Sequence, residues 1–128
     1  MTTFSVKTYN NINKIGLREL GNAFQIDGDH KENPDAYIIR SENLHGTEFP
    51  ENLKAIARAG AGTNNIPIDE ATDKGIVVFN TPGANANAVK EAVIASTLLS
   101  ARDYIAANEW VNTLTGDDVP KQVEAGQT

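Results

Sequence analysis

Cysteine is absent from all 128 residues. This excludes disulfides, cysteine-ligated zinc and thiol nucleophiles, and it permits a cytoplasmic home. The opening Met1-Thr-Thr-Phe-Ser-Val-Lys7 lacks the long apolar core of a signal peptide, so no leader is expected. Long hydrophobic runs are missing too. The most apolar stretch, Val93 to Ala101, is interrupted by Ser96, Thr97 and Ser100 and flanked by Glu91 and Arg102. It falls far short of the roughly 18 residues that a membrane span requires. Positive charge is in deficit, with 11 Lys and Arg against 17 Asp and Glu and a net charge of −6. Non-specific attraction to nucleic acid or to an anionic membrane is therefore not expected. A small anionic substrate would need a locally positive pocket. Internal repeats and low-complexity tracts are also missing.

Metal ligands are scarce. His30 and His45 lie in polar, turn-like surroundings, and neither has a His or Cys partner at metal-binding spacing. The pairs Asp27-Gly-Asp29 and Asp117-Asp118 lack the calcium-loop pattern and read as solvated acids. No metal site is expected.

What is present fits a soluble globular chain: 40% apolar and 22% charged residues, at a length that can bury a core. Phe4 to Tyr9 alternates in polarity and predicts an opening strand. Ile12, Ile15, Leu17 and Leu20 predict a short helix over 12–20, stopped by Gly21. Ala23–Ile26 reads as a second strand and the acidic stretch 27–35 as a surface turn, with Pro34 barring a helix. Ala36–Arg40 is a third strand, continuously apolar enough to be central. A brief helical turn is expected over Phe49–Leu53 and a fourth strand over Lys54–Arg58. Pro67 suits a first helical position, so the next helix runs Ile68–Lys74, with Gly75 as a left-handed stop. Ile76–Phe79 is a fifth strand. A loop over 80–86 leads to one long helix, Asn87 to Ala107. Its stripe at 89, 92, 93, 98, 99 and 105 is helical in period, Asn87 is its N-cap candidate, and Glu91 is placed near its positive end.

Strands alternating with helices imply an α/β fold, a parallel sheet covered on both faces. Ligands on such sheets bind outside the carboxyl ends of the strands. Three loops leave strand ends here: Arg40-Ser41, Gly60-Ala61-Gly62-Thr63 and Asn80-Thr81-Pro82-Gly83. They are expected to meet at one cleft. Periodicity goes that far and names no reaction.

Three segments go further. Arg58-Ala-Gly-Ala-Gly-Thr-Asn-Asn-Ile66 resembles the glycine loop in the substrate domain of D-isomer-specific 2-hydroxyacid dehydrogenases. Asp69 to Gly83, ending Val-Val-Phe-Asn-Thr-Pro-Gly, is similar to the helix, strand and loop that follow it there. Asn85-Ala-Asn-Ala-Val-Lys-Glu91 and the apolar helix after it resemble the family's hinge helix. The Ala36-Tyr-Ile-Ile-Arg-Ser41 strand end matches in type and order. The likeness covers roughly residues 36 to 107 and is specific from 58 to 102. Within the family, Gly83 to Glu91 is most similar to the bacterial branch acting on D-3-phosphoglycerate in serine biosynthesis.

The resemblance implies a flavodoxin-like substrate-binding domain over 1–86. Residues 87–128 would be the hinge helix and the start of a nucleotide domain that holds NAD. It also implies that the catalytic histidine, its supporting acid, the catalytic arginine and the dinucleotide fingerprint lie beyond residue 128, so the chain alone is expected to be inactive. Arg40 and Ser41 match the pair facing the substrate's anionic end, where a guanidinium offers paired donors. Gly60, Ala61 and Gly62 match the loop whose N–H groups approach the substrate carboxylate and, at Ala61, the cofactor. Asn80, Asn85 and Glu91 match the hinge. Pro67 departs from the acidic residue common there.

Plainer readings stand beside these. The Gly60 turn is not a dinucleotide fingerprint, because Asn65 takes the sixth position and Asn80, not an acid, follows the next strand. Arg40 alone could be a surface residue at a strand end. Arg58 is expected to pair with a nearby acid, Asn85 and Asn87 to act as caps, and Tyr104 and Trp110 to pack on a neighbouring element. A related dehydrogenase acting on glycerate, glyoxylate or lactate, and a stand-alone anion-binding module, remain as rivals. The uncovered stripe of the 87–107 helix predicts a homo-oligomer, a dimer formed through that arm.

Overall fold

A computed structural model describes residues 3–28 and 32–126. Asp29 and His30 lie outside the described residues. Two compact units divide the chain, residues 1–84 and 85–128.

The first unit is built on five strands: β1 (Phe4–Thr8), β2 (Phe24–Ile26), β3 (Ala36–Ile39), β4 (Ala55–Arg58) and β5 (Val77–Phe79). All pairings are parallel, in the order β2-β1-β3-β4-β5. This is the flavodoxin-like order, and β3 is central, as its apolar run implies. The strand order reverses between β1 and β3, β2 being added on one side and β3 to β5 on the other, which makes their carboxyl ends the switch point of the sheet.

Register explains the core. Tyr37 pairs with Ile56, and Ile56 with Val78, so these side chains share one face with Ile39. Leu44, Phe49, Leu53, Ile66, Ala71 and Ile76 fill in over that face, and all are buried. Burial also pushes the Tyr37 phenol well above its ordinary range, helped by Tyr9, whose ring meets it edge-on at 5.2 Å. The opposite face is not covered throughout: Val77 and Phe79 are 52% and 57% exposed. The expectation of a sheet covered on both faces therefore fails at the β5 edge. On the buried face, the connection from β3 to β4 contains no helix. Leu44, Phe49 and Leu53 cover the core from an irregular segment, and the predicted helical turn over 49–53 is only a turn, closed by Leu53 N–H to the Pro50 carbonyl (3.0 Å).

Helix boundaries also differ from the sequence reading. α1 spans only Lys14–Arg18, because Asn13 caps it by accepting from Ile15 N–H (2.9 Å). Gly21 follows at φ +70°. α2 spans Ile68–Asp73, with Pro67 in the cap position rather than the first turn, and Gly75 takes the left-handed stop at φ +70°.

The second unit contains α3 (Ala86–Arg102), α4 (Tyr104–Val111) and α5 (Val119–Ala125). The single helix expected over 87–107 is broken at Asp103, whose φ of +47° ends α3. Asn85, not Asn87, occupies the cap position of α3, and its side chain makes no capping bond. Asn87 lies inside the helix and donates to Glu91 Oε1 (2.8 Å), so Glu91 sits beyond the first turn. Trp110 packs within this unit against Gly126, where a β-carbon would collide with the indole.

At the amino ends of the strands, Asp35 joins β1 to the start of β4. Ser5 N–H donates to Asp35 Oδ2 (2.9 Å) and Lys54 Nζ reaches Oδ1 (3.0 Å). The Ser5 N–H bond first, and Lys54 second, hold the carboxyl below its ordinary value of 3.8. A depressed acid contributes stability above its unfolded pKa and loses it as pH falls through the folded value. Urea unfolding of Asp35→Asn and the parent across acidic pH should show the parent's advantage constant above pH 3.8 and shrinking below it. An advantage independent of pH would mean the charge contributes nothing.

Candidate functional site

Because every strand is parallel, all carboxyl ends reach one edge, and the structure ties four of them together there. Two residues past the end of β1 stands Asn10, a non-glycine residue at φ +66°. Its Oδ1 accepts from three successive backbone N–H groups after β3: Arg40 (3.3 Å), Ser41 (2.9 Å) and Glu42 (2.8 Å). Its Nδ2 donates to Glu42 Oε2 (3.1 Å). The same segment is held from behind by Asn65, which is 8% exposed: its Nδ2 donates to the Glu42 carbonyl, and its own carbonyl accepts from Leu44 N–H (2.9 Å).

The side chains of Arg40 and Ser41 are exposed. Arg40 lines a cleft of about 520 Å³ with Asn11, Ile12, Asn13 and Lys14. Two cations and two side-chain amides on one concave wall make this the locally positive pocket that an acidic chain needs for an anion.

Arg58 pairs with no acid among the described residues. Its Nε donates to the Arg40 carbonyl (3.1 Å) and its Nη1 to Asn64 Oδ1 (3.4 Å). The guanidinium thus bridges the end of β3 to the glycine loop. Asn80 Nδ2 donates to the Ala61 carbonyl (2.8 Å) and Thr81 N–H to the Gly60 carbonyl (3.0 Å), fixing the loop from the β5 side. With those carbonyls taken, the N–H groups of Ala61, Gly62 and Thr63 have no protein acceptor among the described residues. They are the donors left for a ligand.

The structure therefore brings Arg40, Ser41, Gly60, Ala61, Gly62 and Asn80 to one edge. Asn85 and Glu91 belong to the helical unit. His45 Nε2 lies 3.0 Å from the Asn64 carbonyl, and no group of three or more potential ligands gathers for a metal among the described residues. The sequence reading missed Asn10, Asn64 and Asn65. Asn10 carried a usable signal: asparagine tolerates left-handed backbone, and it follows directly on an alternating strand.

A dinucleotide does not fit this turn. The loop does not open a helix, since α2 starts only at Ile68 behind a Pro67 cap without a side-chain bond, and Asn80 stands at the next strand end. No helix N-terminus is offered to a pyrophosphate.

Gly62 is favoured by space rather than by φ. A β-carbon there would lie 2.9 Å from Arg58 Nη1 and 3.2 Å from Asn64 Oδ1. Gly62→Ala should cost roughly 1–2 kcal/mol, and the cost should largely vanish in an Arg58→Ala background, within the usual scale of coupled neighbours. A denaturation double-mutant cycle that finds the two changes additive would refute the contact.

Residues 32–124 match the family described as D-isomer specific 2-hydroxyacid dehydrogenase, catalytic domain. The chain is similar to the D-3-phosphoglycerate dehydrogenase of Archaeoglobus fulgidus, 44% identical over 71 residues, which cover 53% of this chain and 14% of that protein. It is equally similar to a hydroxypyruvate reductase of Thermotoga maritima, 44% identical over 71 residues, or 53% of this chain and 23% of the relative. It thus spans less than a quarter of the length of either relative. The structure of a 2-hydroxyacid dehydrogenase from Ketogulonicigenium vulgare superposes with a TM-score of 0.71 at 21% identity, covering 88% of this chain and 40% of that one, and supports the fold. With nearly three quarters of its length inside the family match, this chain belongs to the D-isomer-specific 2-hydroxyacid dehydrogenases.

Proposed function

We propose that these residues are the substrate-binding part of a cytoplasmic, NAD-dependent oxidoreductase that converts D-3-phosphoglycerate to 3-phosphohydroxypyruvate. The observation that carries this reading is the positive cleft at the switch point. Arg40 presents its guanidinium there with Lys14, and the free N–H groups of Ala61 and Gly62 stand on a loop bonded to the same strand end. A substrate with a phosphate at one end and a carboxylate at the other calls for two such anion sites. NAD would supply the hydride acceptor, but the residues described do not themselves form its site. Their contribution is to bind and orient the acid. The 44% identity to a hydroxypyruvate reductase supports a second reading, in which the substrate carries no phosphate.

The test uses the full-length protein. It should turn over D-3-phosphoglycerate with NAD, whereas purified residues 1–128 should show no turnover above a mock preparation. Arg40→Ala should raise KM for phosphoglycerate roughly ten- to a hundredfold, the scale of a lost charge-assisted hydrogen bond. A higher kcat/KM for hydroxypyruvate or glyoxylate than for the phosphorylated pair would favour the second reading.

We also place a second copy of this chain on the helical arm over 87–107. Val89, Val93, Ile94, Leu98 and Leu99 of α3 are all exposed, Leu98 by 60%. An apolar stripe of that size favours association. Light scattering of residues 1–128 should give a dimer, and a monomer at high concentration would count against it.

A further inference from the structure

We propose that Asn10 is a positioning residue that presets the anion-binding end of β3. This rests on the reading of Arg40 as the substrate's anion contact.

Three consecutive N–H groups turned to one side make a concave anion-binding nest. After β3, that nest is already filled by an atom of the chain itself, Asn10 Oδ1. The backbone N–H groups of Arg40, Ser41 and Glu42 are therefore not available to a ligand. What the segment still offers a ligand is the exposed Ser41 hydroxyl and, above all, the Arg40 guanidinium, on the cleft that begins at Asn11, the residue after Asn10. Asn10 thereby fixes the backbone from which Arg40 projects and at the same time starts the loop that forms the other wall.

The choice of residue is chemically specific. The amide is oriented by Nδ2 donating to Glu42 Oε2, so the oxygen faces the three donors. Aspartate would satisfy the same donors but would face the Glu42 carboxylate and add negative charge beside a cleft meant for an anion. Glycine would accept the φ of +66° but would leave the three donors without their acceptor. Asparagine supplies the left-handed backbone, a neutral acceptor and a donor that sets its own orientation.

The test again uses the full-length protein, with D-3-phosphoglycerate as the probe. Asn10→Gly should raise KM about three- to tenfold with kcat within about twofold, since Arg40 grips a part of the substrate remote from the reacting carbon. That rise should disappear in an Arg40→Ala background. Amide exchange should quicken at residues 40–42 and stay slow at Ile39 and Ile56, and Asn10→Asp, which keeps an acceptor, should restore the protection. Exchange as fast in the aspartate variant as in the glycine variant would overturn the proposal, as would an unchanged KM for Asn10→Gly when Arg40→Ala raises it. If Arg40→Ala itself leaves KM unchanged, the reading of Arg40 fails and takes the proposal with it.

Discussion

Backbone donors at the end of a central parallel strand must find acceptors once the ladder stops, and in this protein one amide oxygen serves three of them. The candidate site depends on that convergence. β3 lies in the middle of the sheet, and the segment leaving it has no helix to absorb its polar groups. Asn10 takes the N–H groups, Arg58 the Arg40 carbonyl, and Asn65 both the Glu42 carbonyl and the Leu44 N–H. An irregular segment thereby has its backbone polar groups met by side chains, and its exposed face is left to carry Arg40 and Ser41.

The sheet was legible in the sequence because its signal is local. Continuous apolar residues in 36–39 and 76–79, bounded by turn residues, leave little else to choose, and a parallel order follows from strands that are not joined by hairpins. Strand ends and glycine stops were likewise visible, as at Gly75. The helices were less so. Asp103 gave no period-based warning that it would take a left-handed conformation and divide the 87–107 helix. In the β3–β4 crossover the brief helical turn expected over 49–53 is a single hydrogen-bonded turn, and Leu44, Phe49 and Leu53 are buried one at a time from a loop. Pattern reports that a residue will be buried, not which backbone delivers it.

The site was legible in its glycines and its arginine but not in its amides. Asn10, Asn64, Asn65 and Asn80 each bond to backbone or to Arg58 across 6 to 32 residues of sequence. Nothing about an isolated asparagine distinguishes such a clamp from a turn residue or a cap. Arg58 illustrates the same limit from the other side. Its charge suggests an acid partner, but a guanidinium's N–H donors can equally go to a carbonyl and an amide oxygen, and here two of them do.

Arg58 also changes what the glycine loop means. Gly60 and Gly62 both lie outside the left-handed region that normally explains a glycine, so their backbone conformations would accept alanine. The pressure on Gly62 comes from Arg58, whose guanidinium would have to shift to admit a β-carbon. A ligand above the loop would ask for the same small residue, for the sake of close approach to its N–H groups. The two demands coincide at one position. The glycine that leaves the loop's N–H groups open also leaves room for the arginine that ties this loop to the Arg40 carbonyl, so the loop and the end of β3 are spaced by a single side chain.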